Sequence, residues 1–591
     1  TLTLFLNPGL VLREEAGALV LSLVLPWAAA GTALLSLVAA LATALRWWPR
    51  PFRPVVAGRP FFASLCFLAL AAAAALYVHN LLAYRNALPV DVLRGLAVSS
   101  ATIAGAAAVF LAIGLDLVLF PRRDRPLAAA LAVLAPAAAL AVPLALRPEP
   151  APAAPPPAVR LDAGRAVRRV VLVGVDGLSP ADLRPDPAGE KVGAFARFAQ
   201  RGAAGPLATL RPTEGSPIWT TLLTGRLPRD HGIVSGYSYR LRGSAREWRL
   251  LPKGALVSRL EQAGLVSRRP VGSTSRRTRA LWNVLDAFSV ESGIVRVWGT
   301  HPPETVRGFV VSPYFHALRG DPARAAGAVH PAELLPEITA RAVDARDLDP
   351  TLLADLADPR VPKGAPPLVD PELAGLAAGA LAPDLTYARI TEVLRRAYAP
   401  ALLVLAFHGY DAAGHAFYRH AHPDAFGDVG EEEARRYGRV LPRYAALLER
   451  WTAEIERDLS PEDVLVVVSG HGLAPTPLWR RLVGALTGTA VDAATHASAP
   501  DGVLLVAGAG IRPGSRPAGA TVLDVAPTLL YLMGLPVARD MPGRVLTEIL
   551  EPDFAREHPV TFIPSYEGLA VTPAAPGAPL DELPPLPEAG P

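Results

Sequence analysis

Four short apolar runs in this chain end or begin beside aspartate or histidine. Asp176 follows VVLVGV, ALLVLAF leads into His408, Asp411 and His415, VLVVVS is followed by Gly470 and His471, and His496 stands just ahead of GVLLVA. Aspartate and histidine are the ligands expected for zinc or another borderline divalent ion where no thiolate is available. The single cysteine, Cys66, lies inside an apolar run, which excludes an internal disulfide framework and a cysteine-based metal cluster. Asp411 and His415 are spaced i, i+4, so a helical turn after Tyr410 brings both to one face. Taken singly, an aspartate after a strand is often a helix cap and a histidine a buried structural residue. So many at the ends of apolar runs point instead to metal binding.

The elements that must position these residues are strands. Val170–Val175, Ile294–Trp298, Ala401–Phe407, Val464–Val468 and Gly502–Ala507 are apolar throughout, as expected of strands buried on both faces. They alternate with Ala/Leu/Arg-rich helical stretches, which predicts an α/β fold with a mostly parallel sheet flanked by helices. Reactive groups in such sheets gather beyond the carboxyl ends of the strands.

At 591 residues the chain exceeds what one hydrophobic core organises, so two or more units are expected. Hydrophobic residues make up 51% and charged residues 19%, with mean hydropathy +0.28, so part of the chain belongs in a membrane. The net charge of +4 is not gathered in any basic block, which argues against nucleic acid as a partner. The excess apolarity lies at the N-terminus. Ala16–Leu45, Phe61–Val78, Leu96–Phe120 and Leu127–Leu146 have the length and composition of transmembrane helices. Arginines 46, 50, 53 and 59 in one connection and 122, 123 and 125 in another place those loops in the cytoplasm, and everything after Leu146 on the extracytoplasmic side. The expected organisation is a four-helix membrane domain over 1–147 and a Pro/Ala-rich linker over 148–166. A catalytic-like domain over 167–550 and a Pro-rich tail over 551–591 follow, with lid insertions at about 234–280 and 314–384.

Seven stretches carry a resemblance: VLVGVDG (171–177), SPIWTTLLTGRLPRDHGI (216–233), WGTHPPETVRGFVVS (298–312), GYDAAGH (409–415), SGHG (469–472), DGVLLVAGAGI (501–511) and LDVAPTLLYLMGLP (523–536). In these the chain resembles the alkaline phosphatase superfamily, and within it the type I phosphodiesterase and nucleotide pyrophosphatase branch. The resemblance implies a metal-dependent hydrolase or phosphotransferase acting on a phosphoester, with one or two divalent ions, zinc or manganese. A Ser or Thr alkoxide on one metal would attack phosphorus, and water on the other would release the product. Carried over by position, Asp411, His415 and His496 hold one ion, while Asp176 and His471 belong to the other.

The sequence departs from that pattern twice. The nucleophile position falls on Gly215, with Ser216 adjacent and Thr213 two residues before, and the SDHG carboxylate is replaced by Gly470. Glycine offers neither an alkoxide nor a side-chain ligand. Three readings follow: Ser216, or less directly Thr213, acts as nucleophile, with His408 or water completing the second site; one ion alone activates water; or the domain is a degenerate binding or assembly module. Ser216 also suits the cap of a helix beginning at Pro217, His231 suits a structural loop, and Asp524 suits a helix cap. Partners expected are a phosphoester substrate and the lipid bilayer, and nothing in the sequence sets the oligomeric state.

Overall fold

The computed structural model describes residues 2–7, 10, 12–45, 59–120, 126–146, 167–183, 195–253, 257–357, 370–487 and 491–568. The linker at 148–166, the arginines at 46, 50, 53, 122, 123 and 125, part of each expected lid and the end of the tail lie outside them. The chain divides into two compact units, Thr1–Ala154 with Tyr237–Arg269, and Pro155–Gly236 with Pro270–Pro591.

In the first unit, helix Leu12–Leu19 continues through a π turn, Val20–Val24, into Leu25–Leu45. Helices Arg59–Ala83, Val90–Leu119 and Pro126–Ala145 follow. Among the described residues, four stretches are long and apolar enough to cross a membrane, Glu14–Ala33, Pro60–Ala83, Val90–Leu119 and Pro126–Ala145. Val90–Leu119 turns small residues inward, among them Gly95, Ser99, Ser100, Ala106, Ala107 and Gly114. It leaves Leu111, Leu115 and Val118 exposed. Small residues at the helix seam and leucines outside are the arrangement lipid favours.

The stretch Tyr237–Arg269, within the expected first lid, belongs to this unit. Leu241, Trp248, Leu251, Leu260 and Val266 pack with Leu10, Ala18 and Leu23. Asn7 donates through Nδ2 to the Leu250 carbonyl at 2.7 Å and accepts from the amides of Arg249 at 2.8 Å and Leu250 at 3.1 Å. Asn80 accepts from the Lys253 amide at 2.8 Å, and the Tyr84 hydroxyl donates to the Leu251 carbonyl at 3.0 Å. Asn7→Ala strips three backbone groups of these partners, so the full chain in detergent should lose about 2 kcal/mol, measured as a lower Tm. An unchanged Tm would show that this tie carries no stability.

The second unit is built on an eight-stranded sheet. Its strands are β1 (Arg169–Val175), β2 (Ala203–Leu207), β3 (Ser292–Val295), β4 (Gly308–Val311), β5 (Val329–His330), β6 (Leu402–Phe407), β7 (Asp463–Ser469) and β8 (Gly502–Gly508). The spatial order is β2-β8-β7-β1-β6-β3-β4-β5. The central strands are parallel: β1 pairs with β6 and β7, and β3 with β6 and β4. The edges are antiparallel, with β8 against β7 and β2, and β5 against β4. Alternate residues feed two cores. Val171, Val173, Leu403, Leu405, Leu465 and Val467 face one, and Val170, Leu172, Val404, Val464, Val466 and Val468 face the other. This is the double burial that continuous apolar strands predict. The second expected insertion contributes Phe315, Leu318, Ile338, Leu353 and Leu373 to the first core.

Four of the five expected strands match within a residue at each end. The run expected to reach Trp298 stops at Val295, because Arg296 takes a left-handed φ of 58°. That turn sends the Arg296 guanidinium to the buried carboxylate of Asp384. Asp384 also accepts from the Gly409 amide at 3.1 Å and from the Tyr444 hydroxyl at 3.0 Å. A buried ion pair with its remaining oxygens satisfied therefore braces the start of the helix that follows β6.

Candidate metal centre

The rim at the carboxyl ends of β1, β6 and β7 collects the residues singled out by sequence. Helix α1 (Gly215–Thr224) packs Ile218, Trp219, Leu222 and Leu223 into the second core. Helix α2 (Gly409–Ala421) begins immediately after β6 and His408 and buries Tyr410, Ala413 and Phe417 in the first. Asp411 and His415 thus lie one turn apart on α2, as their spacing predicts. His471 follows β7. His496 precedes β8, and because β8 runs antiparallel with Val503 opposite Ser469, the segment before β8 reaches the rim that β7 leaves. The amide of Ala493 donates to the His415 carbonyl at 2.9 Å, tying that segment to α2.

Asp411, His471 and His496 each bring one ligand-capable atom within 4.8 Å of the others. His496 Nε2 lies 2.8 Å from Asp411 Oδ1 and 3.2 Å from His415 Nε2, and Asp411 Oδ2 lies 3.6 Å from His415 Nε2. His471 Nδ1 donates to the Gly472 carbonyl at 3.2 Å, which fixes the tautomer and leaves the Nε2 lone pair for a ligand. Buried His415 Nδ1 has no hydrogen-bond partner among the described residues. Three imidazoles and a carboxylate fit zinc or manganese in donor type.

Electrostatics favour the ligating forms. Burial alone would raise the Asp411 carboxyl, but His496 and His415 beside it hold it well below the ordinary carboxylate range. Burial, reinforced by His496, pushes the His471 imidazole down, toward its neutral form.

Asp176 has different neighbours. Its Oδ1 accepts from the Trp219 indole at 2.7 Å and its Oδ2 from the Trp298 indole at 3.0 Å, while His408 Nδ1 lies 2.6 Å from Oδ2. His408 Nε2 donates to the Arg296 carbonyl at 2.7 Å. Burial would raise the Asp176 carboxyl, and His408 more than reverses this, so the group stays charged. Gly174 on β1 is what admits Trp219, since a Cβ there would overlap the indole. Across the rim, a Cβ at Gly470 would overlap Ile218 Cγ2. The space a 470 side chain would use is taken by isoleucine, and both Asp176 oxygens are engaged by indoles and His408.

The remaining candidates are placed as follows. α1 begins at Gly215, not Pro217, so Ser216 lies in its first turn and is buried. The residue before the helix is Glu214, whose Oε2 accepts from Ser235 Oγ at 2.8 Å and the Gly236 amide at 2.7 Å. Thr213 Oγ1 donates to the Leu210 carbonyl at 3.0 Å. His231 uses both ring nitrogens structurally, toward Thr221 Oγ1 at 3.1 Å and the Ile233 amide at 3.2 Å. Asp524 accepts from the amides of Thr521 at 2.8 Å and Arg544 at 2.7 Å. Trp219, Trp298, Ile218 and Arg296 were not singled out from sequence as site residues, although both tryptophans lie inside quoted motifs.

Comparisons with known proteins give the following likenesses. Among solved structures the chain is similar to wild-type alkaline phosphatase PafA, at 11% identity and TM-score 0.40 over 66% of this chain and 100% of that one. It is similar to murine ectonucleotide pyrophosphatase / phosphodiesterase 5, at 12% identity and TM-score 0.37 over 65% and 100%. A third is phosphonoacetate hydrolase from Sinorhizobium meliloti 1021, at 14% identity and TM-score 0.29 over 56% and 66%. No curated protein matches. The family profile described as type I phosphodiesterase / nucleotide pyrophosphatase matches residues 170–522, from β1 past β8 and through every candidate ligand. That span is more than half of the chain, which belongs to the type I phosphodiesterase / nucleotide pyrophosphatase family of hydrolases.

Proposed function

We propose that this protein is a membrane-anchored, metal-dependent phosphodiester hydrolase with one ion in its centre, acting outside the cytoplasm. The observation that carries this reading is the convergence of Asp411, His471 and His496, with His415 beside them, while the position opposite Gly470 is filled by Ile218. Zinc or manganese suits the donor set. When bound, the ion supplies Lewis acidity toward a phosphoryl oxygen and lowers the pKa of attacking water. The protein's part is to hold the ligands: α2 sets Asp411 and His415 on one face, the Gly472 carbonyl orients His471, and Ala493 pins the segment bearing His496. Asp176, kept charged by His408 beside it, is tied up by that imidazole and the two indoles and stays out of the centre. The arginine-rich loops between the spans support an extracytoplasmic location.

Under this reading the Ser216 hydroxyl is not the nucleophile. The full chain in detergent should turn over a bis-aryl phosphodiester with zinc or manganese, lose that activity on chelation, and keep it within about threefold in Ser216→Ala, since no covalent step depends on that oxygen. Loss of turnover in Ser216→Ala, together with loss of covalent labelling by a phosphoryl donor, would replace the water mechanism with a serine one. No metal-dependent turnover by the wild type would reject the hydrolase reading.

A further inference from the structure

Between His471 and His496 the chain makes helix α3 (Leu478–Thr487), whose polarity is inverted for a helix on a protein surface. Its basic residues are turned to the body of the unit. Arg480 donates to Thr495 Oγ1 at 3.3 Å, and Arg481 donates to the Phe426 carbonyl at 3.4 Å with its guanidinium 4.7 Å from the centre of the Phe426 ring. Its apolar residues are turned out: Leu478 is 61% exposed, Trp479 64%, Leu482 54% and Leu486 87%. These positions, with Val483, follow the i, i+4, i+8 spacing of a single helical stripe.

The patch is confined. Outside the N-terminal apolar helices and the residues bordering them, every large hydrophobic side chain that is strongly exposed among the described residues lies at 478–491, except Phe562. The stretch shares with the apolar spans their outward-facing leucines. The chain also passes between the two units three times, at 154/155, 236/237 and 269/270. A domain joined in this way to four membrane-length helices is held where a bilayer is at high effective concentration. An exposed stripe of leucines with a tryptophan is the composition of a helix lying in the headgroup region.

We propose that α3 is an interfacial helix, its apolar stripe seated in the headgroup boundary of the bilayer that anchors the chain. Seated there, it holds the rim carrying His471 and His496 at the lipid surface. The seating does not depend on catalysis.

The test uses the full chain in nanodiscs of phosphatidylcholine and phosphatidylglycerol. Cys66→Ser removes the lone thiol, and an environment-sensitive fluorophore is attached at Leu486→Cys, at Leu482→Cys as a second reporter, or at the exposed control Arg346→Cys. Spin-labelled lipid should quench the 486 and 482 probes about threefold or more beyond the 346 probe, and aqueous iodide should show the reverse order. Adding Trp479→Glu should return the 486 probe to the behaviour of the control. Iodide quenching at 486 and 482 equal to that at 346 would overturn the proposal. Shielding from both quenchers would also overturn it, by assigning the face to a protein surface such as a second copy of the chain.

Discussion

Asp411→Ala should abolish metal binding and lower phosphodiester turnover by a factor on the order of 10³ or more, equivalent to about 4 kcal/mol of lost transition-state stabilisation. The carboxylate is the one anionic ligand in the Asp411, His471, His496 group, and it approaches both His496 and His415. Without it, three clustered imidazoles face an incoming cation with no anionic ligand among them. Metal content and turnover measured on the same preparation check this, and a variant that retains both would remove Asp411 from the centre.

Gly470→Asp should fail to restore a second metal position and should destabilise the protein by about 4 kcal/mol. The new Cβ overlaps Ile218 Cγ2 and comes within 3.5 Å of Leu222 Cδ1, both side chains of the buried core. The carboxylate then enters apolar surroundings. Ile218→Ala alone should cost about 3 kcal/mol through the cavity it leaves. The double variant should be more stable than the sum of the singles predicts, by about 2 kcal/mol, because the cavity accepts the new side chain. Denaturant unfolding of all four proteins measures this coupling. Wild-type stability in Gly470→Asp with a second bound ion would contradict the one-ion account.

How far the site was legible in sequence follows from the range of the interactions involved. Strands β1, β3, β6, β7 and β8 could be read because residues buried on both faces leave an unbroken apolar run, whereas the four-residue β4 was missed; the Asp411/His415 pair could be read because i, i+4 spacing is a local property of α2. The edge strands were missed for the same reason in reverse: AAGPL at 203–207 carries Gly and Pro, and Val329–His330 is two residues long. The direction of β8 left no local mark, yet it is what brings His496 to the rim. The surroundings of Asp176 were hidden because Trp219 and Trp298 lie 43 and 122 residues away in sequence. The filling of the space at Gly470 by Ile218 is likewise a long-range packing event. In α3 the apolar pattern is visible in LWRRLVGAL, but a periodic stripe does not say whether it faces inward or outward, and here Arg480 and Arg481 take the inner side.

The most direct test of the one-ion hydrolase is to titrate zinc into the chelator-stripped full chain while following bound metal and bis-aryl phosphodiester turnover together. Turnover should rise in proportion to metal bound and saturate at one ion per chain. Turnover that requires a second ion, that persists without any, or that never appears while metal binds would contradict the one-ion hydrolase.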